Sequence, residues 1–223
     1  MPAQTLFLAQ AASASRRRSR DWISLAAGAL VLAAIAFVLV IDLWWGLTHD
    51  GYSYVADTIS DLAAGVNSWT MDLALTGLAV AVGLLALALA RLDLGEATGR
   101  PWRYRLGCLI VLLLAPVLYL IAGHDAYGDG ERGGTEIHIY LVYALGVAFP
   151  LAAWLLGPGF QAVSNRWRDV SLAVAVVWIV AAPPFLFMPT GFDGLYERAL
   201  ALVLLAWFAL AALNLVREGR GRL

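Results

Sequence analysis

Ser60, Asp61, Glu197 and Arg198, with the three histidines His49, His124 and His138, are the residues of this 223-residue chain best suited to chemistry. A serine hydroxyl beside a carboxylate or an imidazole is a latent nucleophile, and the neighbouring group supplies proton transfer. Neutral imidazoles supported by carboxylates are what a zinc-like ion requires. His49, His124 and His138, near Asp50, Asp61, Asp125 and Glu136, are therefore a candidate metal set. Arg198 opposes the dipole of the helix it opens, so it needs a partner: Asp57, Asp61 or a ligand anion. Plainer readings stand beside these. Histidines and acids gather wherever water reaches, Asp61 can cap a helix with Thr58, and Arg198 can pair locally with Glu197 or Asp193.

Three polar connectors carry these residues. The first, 48–67, reads THDGYSYVADTISDLAAGVN. Val55, Ile59 and Leu62 recur at i, i+4 and i+7, which predicts a short amphipathic helix at the membrane surface. Thr58 and Asp61 fit its capping box, and Gly65 its end. The second, from His124 to His138, reads HDAYGDGERGGTEIH. Asp125, Asp129, Gly130 and Glu136 match parts of a calcium loop, but Tyr127 and Arg132 spoil it, so chance similarity is the better reading. His49-Asp50-Gly51-Tyr52 and His124-Asp125-Ala126-Tyr127 form a faint internal echo. The third connector, 190–198, ends on Glu197 and Arg198.

The elements that must position these connectors are hydrophobic. The chain is 61% hydrophobic and 14% charged, with a mean hydropathy of +0.76, which excludes a soluble globular protein. Six apolar runs follow: Trp22–Gly46, Trp69–Ala90, Tyr104–Gly123, Ile137–Gly157, Val170–Met188 and Leu195–Val216. Each is long enough to cross a hydrocarbon core of about 30 Å as a helix. The expected fold is all-α, a polytopic membrane protein of six transmembrane helices. A basic head (1–20) precedes the membrane domain (21–217), and a short tail (218–223) follows it. All fifteen basic residues are arginines, and only Arg132 and Arg198 fall outside the head, the tail and the 91–105 and 165–168 connectors. The positive-inside rule therefore puts both termini in the cytoplasm and the three polar connectors outside. Trp22, Trp44, Trp45, Trp69, Trp102 and Trp167 suit interfacial anchors.

Net charge is -1, so no global field points to nucleic acid, and the single Cys108 leaves no intramolecular disulfide. Pro116, Pro150 and Pro183-Pro184 should kink their helices, while Gly77, Ala79 and Gly83 offer small packing faces. Asp42 and Asp72 are the acids within the apolar runs, both near the outer ends. Mid-span ionisable residues, the mark of a coupled carrier, are missing, which weakens carrier and channel readings.

Tyr52-Ser53, the Asp57-to-Leu62 run, Asn67, a histidine after the third span and Gly194-Leu195-Tyr196-Glu197-Arg198 together resemble a six-span bacterial and archaeal membrane family, domain of unknown function 998. The resemblance covers nearly all of the chain after the head and implies the fold rather than an activity. A more distant likeness, in six spans and an outer Ile-Ser-Asp element, is to the Frag1/DRAM/Sfk1 membrane proteins, some linked to lipid remodelling.

Two functions remain open. One is a scaffold or partner subunit of the cytoplasmic (inner) membrane, its crown a lid that docks other membrane subunits. The other is a lipid-head-group binder, or a hydrolase or transferase at the outer leaflet, possibly metal-dependent. There, Ser60 or a metal-bound water is the nucleophile, Asp61 with His124 or His138 the acid–base pair, and Arg198 the anion clamp. Membrane lipids are expected partners in either case, and nucleic acid is not.

Overall fold

The computed structural model describes residues 21–48, 50–64, 69–92, 94–95, 99–124, 137–189 and 191–220. Among them are seven helices: α1 (Trp22–Thr48), α2 (Ile59–Ala64), α3 (Trp69–Leu92), α4 (Pro101–Ala122), α5 (Ile137–Phe160), α6 (Asn165–Phe185) and α7 (Asp193–Gly219). All but α2 are long and apolar enough to cross a membrane. With no water in a bilayer core, each long segment satisfies its backbone hydrogen bonds within itself, which is why apolar runs of this length become helices. This is a multi-pass membrane protein.

The helices extend past the apolar runs mainly where local chemistry supports them. Pro101 opens α4 at a position whose missing N–H costs nothing. Ser164 caps α6, its hydroxyl accepting the Arg166 N–H at 3.2 Å, so that helix begins within a polar segment. In contrast, α6 stops at Phe185, short of the expected Met188, because Pro183 and Pro184 remove two donors.

Neighbours in the bundle run α1–α3–α4–α5–α6–α7 and back to α1, a closed ring in which the α6–α7 seam is the most sparsely packed. The ends of the described chain meet on one face, where the Asp21 N–H donates to the Gly219 carbonyl at 3.2 Å. Asp21 also pairs with Arg91 at 3.1 Å. We call this the termini face and its opposite the crown face. Gly28 allows α1 against α7, since a Cβ there would overlap the Ala212 carbonyl. Gly83 approaches Ala115 of α4, and Ala79 is buried, but Gly77 is exposed and packs nothing nearby.

Aromatic packing fills the bundle between α5, α6 and α7. Phe149 meets Trp178 at 4.7 Å and Trp207 at 5.6 Å, both edge-on. The Trp207 Nε1–H donates to Ser171 Oγ, whose own proton goes to the Ala153 carbonyl, so this buried polar pair is satisfied. Trp22, Trp44, Trp69 and Trp102 are exposed at helix ends, as expected of anchors. Trp45 is instead buried, with its Nε1–H on Thr70 Oγ1.

Candidate functional site

Loop 50–58 and α2 lie across the crown end of α1 and α7. A Cβ on Gly194 would overlap the Asp57 backbone, and one on Gly46 would run into the Tyr54 ring. The two glycines thus let the loop settle directly on the helices. The Leu195 N–H then donates to the Val55 carbonyl at 3.0 Å, tying loop to α7. Within α2 the capping box forms as the sequence implies: the Thr58 N–H and hydroxyl both donate to Asp61 Oδ2, and the Asp61 N–H returns to Thr58 Oγ1.

Arg198 braces this assembly. Its Nε–H and one Nη2–H make a two-pronged pair with Asp42 of α1, at 3.2 and 2.9 Å. The other Nη2–H donates to the Tyr52 hydroxyl. Its Nη1 hydrogens are shared among the carbonyls of Asp57, Gly194 and Tyr54 at 2.7, 3.1 and 3.2 Å. The guanidinium also sits 5.5 and 5.2 Å from the Tyr52 and Tyr54 rings, close enough for cation–π attraction. A guanidinium has five N–H donors, and all are used. Burial pushes the Tyr52 phenol above its ordinary value of 10.0, and Asp42 and Asp57 add to this against the opposing charge of Arg198.

Glu197 turns the other way. Its Oε2 accepts the Ile59 N–H at 2.5 Å and its Oε1 accepts the Ser60 hydroxyl at 2.9 Å. Ser60 Oγ also lies 3.3 Å from His138 Nε2. The other ring nitrogen, Nδ1, is 2.9 Å from the His124 carbonyl, an obligate acceptor, which assigns the ring proton to Nδ1. In the neutral ring, Nε2 therefore presents a lone pair toward Ser60 Oγ, whose single proton is donated to Glu197 and can reach Nε2 only if the hydroxyl turns.

These groups roof a cavity of about 1090 Å³. All six long helices contribute to its walls. Its polar lining is gathered at the crown, in Asp42, Thr58, Ser60, His138, Glu197 and Arg198. Below them the walls are nearly all apolar, and along α5 they run from His138 to Trp154, a rise of about 24 Å. That is most of a hydrocarbon core of about 30 Å. Such a chamber has room for a chain-bearing amphiphile, being at the top of the roughly 300–1,000 Å³ range of ligand pockets.

The family model described as "Protein of unknown function (DUF998)" matches residues 31–214. The chain belongs to this family. The match takes in α3 to α6, most of α1 and α7, and all of the crown residues just described, so the brace and the chamber lie within the family's own span. No curated protein and no solved structure matches the chain. The more distant likeness to the Frag1/DRAM/Sfk1 proteins is not shown by these comparisons.

The structure brings together Ser60, Glu197 and His138, and places Arg198 beside them. It separates Asp61, which is exposed and occupied with its own helix cap. Neither Asp57 nor Asp61 pairs with Arg198. The Asp57 carboxylate accepts the Ser53 N–H at 2.6 Å, and only its backbone carbonyl reaches the guanidinium. His124 takes part through its carbonyl, while its own Nδ1 faces the Leu120 carbonyl at 2.8 Å. His49 and the acidic stretch 125–136 lie outside the described residues, and among those described no three His, Cys, Asp or Glu groups converge on a metal position. Asp42 and Tyr52 were missing from the expected site. An acid near the end of an apolar run was the available signal for Asp42, since such residues are costly without a partner.

Proposed function

We propose that this protein binds a chain-bearing membrane amphiphile, with the apolar portion in the chamber and the polar end at Ser60, His138 and Glu197. The observation that carries the reading is the sorting of the chamber: polar lining at the crown, apolar lining over nearly the whole remaining depth. Arg198 is saturated within the protein, so the polar end need not be anionic. The arginines of the described termini face, among them Arg91, Arg105, Arg166 and Arg217, support a cytoplasmic assignment for that face and an outer-leaflet assignment for the crown. In a bacterial or archaeal cell this is the cytoplasmic membrane.

The scaffold reading is favoured by one feature, the fully bonded Arg198 brace, which suits a rigid docking lid. It gives no account of the chamber. The test is identification of lipid that co-purifies with the protein in mild detergent, by native mass spectrometry. The same measurement on Val147→Trp places bulk at a chamber-lining residue that is 69% exposed. Stoichiometric lipid on the native chain and a loss of roughly tenfold in the variant are expected, about 1.4 kcal/mol. A chain that carries no lipid, or a Val147→Trp chain equally loaded, returns the scaffold reading to first place.

A further inference from the structure

We propose that Ser60 is a nucleophile toward the acyl ester of an amphiphile held in the chamber, with His138 as the base that takes its proton. This rests on the reading of the chamber as a lipid site and adds a reaction to it. Two hydroxyl residues of the crown line the chamber beside α2, Thr58 and Ser60. The Thr58 hydroxyl is committed to Asp61 as a helix cap. Ser60 is different: its Oγ, whose proton rests on Glu197 Oε1 at 2.9 Å, also lies 3.3 Å from His138 Nε2, so a turn of the hydroxyl carries that proton from carboxylate to imidazole, and the imidazole is oriented from behind by the His124 carbonyl at 2.9 Å. A nucleophile, a base and a group that fixes the base's tautomer are the three parts that serine acyl transfer requires. They come from α2, α5 and the end of α4, so the fold rather than local sequence assembles them.

The chemistry closes with groups at hand. The Ser60 hydroxyl turns from Glu197 Oε1 to His138 Nε2, and its Oγ bonds to the ester carbonyl carbon while its proton passes to that nitrogen. Collapse of the tetrahedral adduct breaks the bond to the alcohol oxygen, which leaves with the proton from Nε2. Water entering from the crown face then adds to the acyl carbon, giving its proton to the same nitrogen, and releases the carboxylic acid with Ser60 restored. The substrate class follows from the lining. It is an ester whose acyl chain occupies the apolar depth and whose alcohol part is uncharged or amine-bearing, since Arg198 has no donor left for a phosphate.

The test uses the full chain in detergent, incubated with a long-chain alkyl fluorophosphonate, with the adduct located by peptide mass spectrometry. One adduct on Ser60 is expected, absent in Ser60→Ala and formed roughly a hundredfold more slowly in His138→Gln. Thermal unfolding in detergent is measured on both variants, and a native-like cooperative transition shows that each is folded. Lipid retained with no Ser60 adduct on the native chain overturns the nucleophile while leaving the chamber reading intact. An unchanged rate in a folded His138→Gln protein overturns the base. Labelling of Ser60 on a chain that never carries lipid upholds the nucleophile and removes the chamber reading.

Discussion

Arg198 directs every N–H donor inward, and its pairing with Asp42 is the strongest ionic contact of the crown. The two side chains are only 11% and 15% exposed, which puts them in the regime where removing one partner strands the other. Arg198→Ala or Asp42→Ala alone should cost about 3–5 kcal/mol of stability, and the double variant markedly less than the sum. Thermal unfolding in detergent, read as a double-mutant cycle, checks this. Strictly additive losses would mean that the pair is not coupled. The sequence announced that Arg198 needed a partner but pointed to the wrong one. Asp57 and Asp61 are close along the chain and polar in context, whereas Asp42 lies on another helix, 156 residues away. Pairing across a bundle depends on helix rotation, and a single sequence does not encode that visibly. His138 and Ser60 were legible as chemical types for the same reason that their contact was not.

At the scale of elements, the capping box was the easiest feature to read, because it is local: Thr58 and Asp61 lie one helical turn apart. The six long helices were equally plain, each expected end lying within about five residues of the observed one. Less visible was the role of Gly194, which looks in sequence like ordinary helix-start punctuation. In the structure it is the floor on which the Asp57 backbone rests. Gly194→Ala should therefore lift loop 50–58 and break the Leu195–Val55 hydrogen bond. The expected loss is about 1–3 kcal/mol, the usual cost of overpacking. Hydrogen exchange should report it as faster exchange at Leu195, with the termini-face helices unchanged. Protection at Leu195 equal to that of the native chain would show that the contact is not tight.

At the scale of the whole molecule, the number of long apolar helices was readable because span count is a one-dimensional property of the sequence. The chamber was not, since a cavity is the joint product of side chains on all six long helices. Topology is open to a direct check. Single cysteines at Asp50 and at Gln161, both exposed, are introduced into a chain with Cys108 replaced. In intact cells a membrane-impermeant thiol reagent should label the first and spare the second. Labelling at 161 alone would invert the orientation and move the crown to the cytoplasm.

The union of first and last long helices through Asp42 and Arg198 also governs how the protein is made. Asp42 enters the bilayer with α1, while its counter-ion is still unsynthesised. An ionised residue inside a membrane costs about 2.5–3.5 kcal/mol at the centre of a span, less toward its end. That burden persists until α7 is inserted and closes the ring. Glu197 arrives on that same helix, so the Ser60–His138 contact gains its third member only then. Without α7 the Asp42 carboxylate has no guanidinium partner, and the chamber lacks the wall that carries Glu197 and Arg198. Insertion of α7, relief of the buried charge and assembly of the site are thus a single event.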